Sequence, residues 1–123
     1  MQTASQVVFA AGLSLLLVHE MDAICRQEWK MFVVLKRMGE EKAFYVFLLL
    51  HIPLYIALFL LLLSDYQVAG YYVTDVFLAF HLLLHWLFRK HPANNFTGRI
   101  SKAIIVSSGL LGVLHLALLV FVL

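Results

Sequence analysis

Five of the six histidines lie inside long apolar stretches of the sequence, where ionisable side chains are costly and usually face the interior of a helical bundle. The same stretches retain three carboxylates. The histidines are His19, His51, His81, His85 and His115, and the carboxylates are Glu20, Asp22 and Asp75. Imidazole and carboxylate groups together suit transition metals such as Zn and Fe, and helical bundles are where such sites are built. These residues therefore indicate, first of all, a metal-binding site buried in the bundle.

Two pairs of these residues have helical spacing. His81 and His85 are four residues apart and share one helix face, while His19 and Asp22 are three apart and share another. At about 1.5 Å per residue, all four residues and His51 lie within roughly 12 Å of the same end of their stretches. We therefore predict that His19, Asp22, His51, His81 and His85 bind a metal ion.

The remaining ionisable residues in the apolar stretches have other expected roles. Glu20 lies about 100° around its helix from His19, and we predict it as a proton-transfer group with a catalytic role rather than as a ligand. Asp75 and His115 lie deeper, at roughly 18–20 Å by the same helical rise, and are expected to pair with each other.

Three functional interpretations of the histidines are open from the sequence. In the first, the cluster binds a transition metal, with Zn or Fe preferred to a haem b held by His51 and either His81 or His85. In the second, the protein is an accessory or structural membrane protein that packs against a larger partner, and the histidines form interhelical hydrogen bonds. In the third, the same histidines and Asp75 form a proton or ion pathway in a homo-oligomer.

Four helices are needed to position these residues. The 123 residues are 63% hydrophobic and 13% charged, whereas soluble domains are roughly 45–50% apolar and about 25% charged. A membrane helix needs about 20 mostly apolar residues, and the stretches that meet this condition are 3–24, 43–63, 68–88 and 103–123. The sequence predicts an all-α, polytopic membrane protein with one four-helix domain over residues 1–123, and an additional interfacial helix at 26–37.

The basic residues predict the orientation of the chain. All nine Lys and Arg residues lie between the first and second spans or between the third and fourth. By the positive-inside bias both basic loops are cytoplasmic and both termini face outward, so we expect a multi-pass protein of the inner (plasma) membrane. A net charge of only +2 argues against a nucleic-acid partner. The expected partner is the lipid bilayer, with a second copy or a larger membrane protein as further candidates.

Short motifs near the ends of the first and third spans combine histidine with acidic, basic or aromatic neighbours. They are His19-Glu20-x-Asp22-Ala23-Ile24, Glu28-Trp29, His85-Trp86, Arg89-x-His91-Pro92 and Phe96. Together these motifs resemble a family of small bacterial four-helix membrane proteins classed as a domain of unknown function, and the likeness covers most of the chain. The resemblance implies a compact four-helix membrane protein and supplies no activity, substrate or cofactor. It also implies that residues of the first helix and residues of the third meet at the cytoplasmic end, namely His19, Glu20, Asp22, Glu28 and Trp29 with His85, Arg89 and His91.

Overall fold

Helices and the turns between them account for the secondary structure of residues 2–121, the part of the chain that the computed structural model describes. The α-helices are α1 (Gln2–Cys25), α2 (Val33–Lys36), α3 (Glu40–Leu63), α4 (Gln67–Leu87) and α5 (Arg99–Phe121). One 3-10 turn, Glu28–Met31, precedes α2, and another, Phe88–Lys90, follows α4. Because α1, α3, α4 and α5 are each long and apolar enough to cross a membrane, the predicted all-α, multi-pass membrane fold is confirmed.

The connection after the first span differs from the predicted interfacial helix. Instead of one helix over 26–37, the chain forms the 3-10 turn and then α2, separated by Phe32 in an extended conformation. Two spans also begin earlier than predicted, α3 at Glu40 rather than residue 43 and α5 at Arg99 rather than residue 103. In α3 the first turn contains two acidic residues, which the positive amino-terminal end of the helix dipole stabilises.

Helix α5 packs along both α1 and α4. Two glycines allow α4 and α5 to approach closely, because a Cβ at Gly109 would lie 2.6 Å from the Cβ of Leu82 and one at Gly112 would lie 2.7 Å from the Cβ of Leu78. Small residues at such contacts are a common means of bringing membrane helices together. The close contact fixes the position of α4, which carries two of the predicted metal ligands.

Helix α3 contributes least to the packed interior. It contacts mainly α4, and its buried residues are Ala43 and Phe47, both in its first half. Farther along the helix large apolar side chains are exposed, including Leu60 and Leu63. Apolar surface of this extent is stable against hydrocarbon rather than water, so these faces of α3 contact the lipid bilayer.

Residues of the connections and of the adjoining helix ends form an apolar cluster at one end of the bundle. We call this end the basic end, because residues 26–42 and 89–102 there contain all nine lysines and arginines. The buried residues of the cluster are Ala23, Trp29, Met31, Leu35, Ala43, Phe47, Phe96 and Ile105. The side-chain amide of Asn95 also donates a hydrogen bond to the carbonyl oxygen of Arg26 at 3.1 Å, which joins the two connections. This packing holds the first 3-10 turn against the ends of the long helices.

Candidate metal centre

Three histidines from α1 and α4 converge near the basic end. The Nε2 atom of His81 lies 2.8 Å from Nε2 of His19 and 3.1 Å from Nε2 of His85. The rings pack edge to face, and His19 is almost completely buried. The predicted spacing of His81 and His85 therefore places both imidazoles on the face of α4 that meets His19.

Glu28 joins the three histidines from outside the long helices. Its Oε2 atom lies 3.4 Å from Nε2 of His19, and its Oε1 atom lies 3.7 Å from Nε2 of His85. One ligand atom from each of the four residues lies within 4.8 Å of the other three. We call His19, Glu28, His81 and His85 the His/Glu cluster.

The backbone immediately before Glu28 has a strained conformation. Gln27 has a φ of 56° and lies in the left-handed region, which is uncommon for a residue other than glycine. At this point α1 has ended, and the backbone N–H of Arg26 donates to the carbonyl oxygen of Asp22. The reversal at Gln27 directs Glu28 back toward His19. Strained backbone of this kind concentrates at functional sites.

The histidines of the cluster affect the ionisation of the Glu28 carboxyl group. Burial raises the pKa of the carboxyl group, but the adjacent His19 and the charge of the neighbouring histidines outweigh burial and hold the pKa of Glu28 below its ordinary value. Although His19 is 3.4 Å away, the buried Oε2 atom makes no hydrogen bond to any residue of the described chain. A buried carboxylate oxygen without a partner is costly.

Hydrogen bonding alone does not satisfy the three imidazoles. A ring nitrogen carries either one proton or one lone pair, so Nε2 of His81 cannot form well-directed hydrogen bonds with both His19 and His85. The arrangement matches three lone pairs that share a central cation better than a chain of hydrogen bonds.

A small cavity of about 60 Å³ adjoins the cluster. Its lining includes Glu28, His81 and His85 together with apolar side chains such as Met31 and Leu84. A water molecule needs about 10–15 Å³ of such volume. The cavity therefore has room for water or another small molecule beside three of the four residues in the His/Glu cluster.

Asp22 and His51, which the sequence predicts as ligands, lie outside the His/Glu cluster. Asp22 Oδ1 accepts a hydrogen bond from Nε of Arg26 at 3.2 Å, four residues along the chain. His51 Nε2 lies 2.8 Å from Oε2 of Glu20, and its Nδ1 lies 2.7 Å from the carbonyl oxygen of Phe47. The structure thus brings together three of the five predicted ligands and places the other two in separate pairs.

Glu20, predicted as a proton-transfer group, has His51 of α3 as its partner. If Nδ1–H of His51 donates to the carbonyl oxygen of Phe47, the Nε2–Oε2 contact holds one proton that resides on either the imidazole or the carboxyl group. The pair connects α1 to α3, two helices that otherwise make few contacts.

The predicted pairing of Asp75 and His115 is confirmed. His115 Nδ1 lies 2.7 Å from Oδ2 of Asp75, and both side chains are 1% exposed. The rings of Phe9 and Tyr71 pack against His115, with centroid separations of 5.1 and 5.4 Å. This pair joins α4 to α5 and does not belong to the His/Glu cluster.

Sequence reasoning did not include Glu28 among the predicted ligands. The residue follows the first apolar span, whereas the predicted ligands are ionisable residues inside the spans. The Glu28-Trp29 motif was the available signal, since the family resemblance places it near His85. Trp29 packs in the apolar cluster of the basic end and so helps to hold the 3-10 turn that begins with Glu28.

The fold and the site define a multi-pass helical membrane protein with a His/Glu cluster that can hold a metal ion. The chain belongs to the Family of unknown function (DUF6713), whose model matches residues 5–122. The predicted membership of an uncharacterised family is thereby confirmed. No curated protein and no solved structure matches the chain.

Proposed function

We propose that this protein is a membrane metalloprotein in which His19, Glu28, His81 and His85 bind one divalent transition-metal ion, Zn²⁺ or Fe²⁺. The observation that carries the proposal is that four ligand atoms lie within 4.8 Å of one another. Ligands about 2.0–2.1 Å from a tetrahedral zinc ion lie roughly 3.3 Å apart. Four contacts within the cluster range from 2.8 to 3.7 Å and lie on both sides of that value.

The chemistry of the ligands supports the same assignment. Imidazole and carboxylate suit Zn²⁺ and Fe²⁺, whereas Mg²⁺ and Ca²⁺ prefer oxygen ligands alone. A cation among the four residues would accept the three Nε2 lone pairs and would partner the Oε2 atom of Glu28. The adjoining cavity would give a small molecule access to the ion, and a metal with an accessible position activates bound water.

Metal analysis of the purified protein tests the proposal. We expect one Zn or Fe ion per chain by inductively coupled plasma mass spectrometry, after purification in detergent without a chelator. Glu28→Gln keeps the size of the side chain and removes its charge, so we expect metal affinity to fall by at least about tenfold.

The matched control for this experiment is His51→Ala, which removes an imidazole inside a span but outside the His/Glu cluster. This variant should retain the metal content of the wild-type protein. A wild-type protein that holds neither Zn nor Fe, even after incubation with either ion, would contradict the proposal. Equal loss of metal from both variants would place the binding site elsewhere.

We further propose that the basic end faces the cytoplasm and that both termini lie on the outer side of the plasma membrane. The support is the distribution of charge, because all nine basic residues lie at one end and the α3–α4 connection contains Asp65 and no basic residue. By the positive-inside bias, the loops that contain the excess of Lys and Arg face the cytoplasm.

Cys25 makes the orientation measurable, because it is exposed and is the single cysteine of the chain. A membrane-impermeant maleimide should leave Cys25 unlabelled in intact cells and label it after permeabilisation. Ser64→Cys in a Cys25→Ser background places the thiol in the α3–α4 connection and should reverse this pattern. Labelling of Cys25 in intact cells would overturn the proposed orientation.

A further inference from the structure

A larger cavity, of about 400 Å³, lies among α4, α5 and the segment that joins them. Its volume is within the range of about 300–1,000 Å³ that is typical of ligand sites in proteins. His85 lines both this cavity and the smaller one beside the His/Glu cluster. The cavity is therefore adjacent to the proposed metal centre but is formed largely by other residues.

The polar part of the lining is cationic. Besides His85, it consists of Arg89, Lys90, Asn94, Thr97 and Lys102, and no carboxylate lines the cavity. Among the ion pairs of residues 2–121, none involves Arg89, Lys90 or Lys102. Three cations without an acidic partner, beside an amide and a hydroxyl group, favour an anion with several acceptor oxygens, such as a phosphate group.

Arg89 is held in place beside this cavity. Its Nη1 donates a hydrogen bond to the carbonyl oxygen of Trp86 at 2.6 Å, and its guanidinium carbon lies 4.2 Å from the centroid of the Trp86 ring. A guanidinium group has five N–H donors, so these contacts leave donors for a ligand. The amide of Asn94 donates to the backbone carbonyl oxygen of Arg89 at 3.0 Å, which further fixes this part of the lining.

The rest of the lining is apolar and includes Leu82, Trp86, Ile105 and Val106. Leu82 precedes Lys90 by eight residues, or about 12 Å along a helix, so the apolar part extends from the basic end into the span. A ligand that matches both parts carries a phosphate group next to a hydrocarbon region. Phospholipids at the membrane surface have this construction, whereas free phosphate matches the polar part alone.

We propose that this cavity binds the phosphate group of an anionic membrane lipid, with the hydrocarbon of the lipid against Leu82, Ile105 and Val106. Binding of the lipid does not depend on the metal ion. Its consequence for activity rests on the proposed function, because the shared residue His85 would place the lipid headgroup next to the metal centre. The substrate class of that centre is then a phosphate-bearing lipid.

Lipid binding by the metal-free protein tests this proposal independently of the metal site. Native mass spectrometry of chelator-treated, delipidated protein would be used to titrate phosphatidic acid, and phosphatidylcholine with the same chains. We expect phosphatidic acid to bind more tightly. Because a basic residue at the membrane surface contributes about 1 kcal/mol, Lys90→Gln combined with Lys102→Gln should weaken its binding by about tenfold or more.

The control is the combination of Lys36→Gln and Arg37→Gln, which removes the same charge at the same end from residues that do not line the cavity. This variant should bind phosphatidic acid as the wild-type protein does. Equal weakening by both double variants would show general attraction to a basic surface and would overturn the proposal. If the double variant fails to fold, Lys102→Gln alone replaces it. We expect this single variant to lose an intermediate part of the affinity for phosphatidic acid.

Inorganic phosphate distinguishes a lipid site from a phosphate site. At equal concentration it should displace little phosphatidic acid, since it makes no contact with the apolar part of the cavity. Displacement at equal concentration would show that hydrocarbon contributes nothing to binding, and would overturn the assignment to a lipid. If the lipid-binding predictions fail but the protein contains the expected metal, the proposed lipid site is wrong and the proposed metal centre still stands.

Discussion

His81→Ala is expected to abolish metal binding, because His81 Nε2 lies in the middle of the His/Glu cluster, in contact with both His19 and His85. Loss of a residue that only supports a metal ligand weakens binding by about 10–100-fold. Loss of a direct ligand should therefore weaken it by at least about 100-fold. Isothermal titration calorimetry with Zn²⁺ on the chelator-treated protein measures this change.

The same substitution should remove the stability that the metal provides. An ion at 100 times its dissociation constant stabilises the folded state by about 2.7 kcal/mol, which corresponds to a rise of roughly 10 °C in the thermal midpoint of a chain of this length. The wild-type protein should lose this increment with a chelator and regain it with Zn²⁺. The midpoint of His81→Ala should respond to neither treatment.

His91→Ala provides a control at the same end of the bundle. The Nδ1 atom of His91 accepts a hydrogen bond from the backbone N–H of Ala93, and the residue is outside the His/Glu cluster. This variant should bind Zn²⁺ and shift its thermal midpoint as the wild-type protein does. A wild-type response from His81→Ala would show that the stabilising ion binds elsewhere.

The common level of three histidines of the His/Glu cluster could be predicted from the sequence, because the helical rise is nearly constant. Counting residues from the ends of the spans placed His19, His81 and His85 at similar depths, and the structure brings them together. The helical rise also places His51 at this depth, but in the structure His51 contacts Glu20 instead of the other histidines. Depth does not specify how a helix is rotated about its axis. In a membrane protein the lipid-facing side is as apolar as the packed side, so no apolar stripe reveals that rotation.

Glu28 illustrates a different limit of sequence reasoning. Its position depends on a left-handed conformation at Gln27 and on the burial of Trp29 among residues distant in the chain. Glutamine is not a residue type that signals positive φ, and the burial of Trp29 is a tertiary contact. The spans themselves were predictable within a few residues since bilayer thickness sets their length, whereas the connections have no comparable constraint.

Breaking the Asp75–His115 pair is expected to produce the largest loss of stability in the interior of the bundle. His115→Leu leaves the carboxyl group of Asp75 buried without its partner. A buried polar group left without its partner typically costs about 1–3 kcal/mol, and more if the group is charged, so we expect a loss of at least this size in the free energy of unfolding. Equilibrium unfolding in mixed micelles of a mild detergent and dodecyl sulfate measures it.

Two further variants show whether the loss comes from the stranded carboxyl group. Asp75→Asn retains an oxygen that accepts the Nδ1–H of His115, so its cost should be nearer to the roughly 1 kcal/mol of one hydrogen bond. Asp75→Leu with His115→Leu removes both polar groups and should cost less than the sum of the two single leucine substitutions. An additive result would show that the residues stabilise the bundle independently. Folded Asp75→Asn protein should keep its metal, because the pair lies outside the His/Glu cluster.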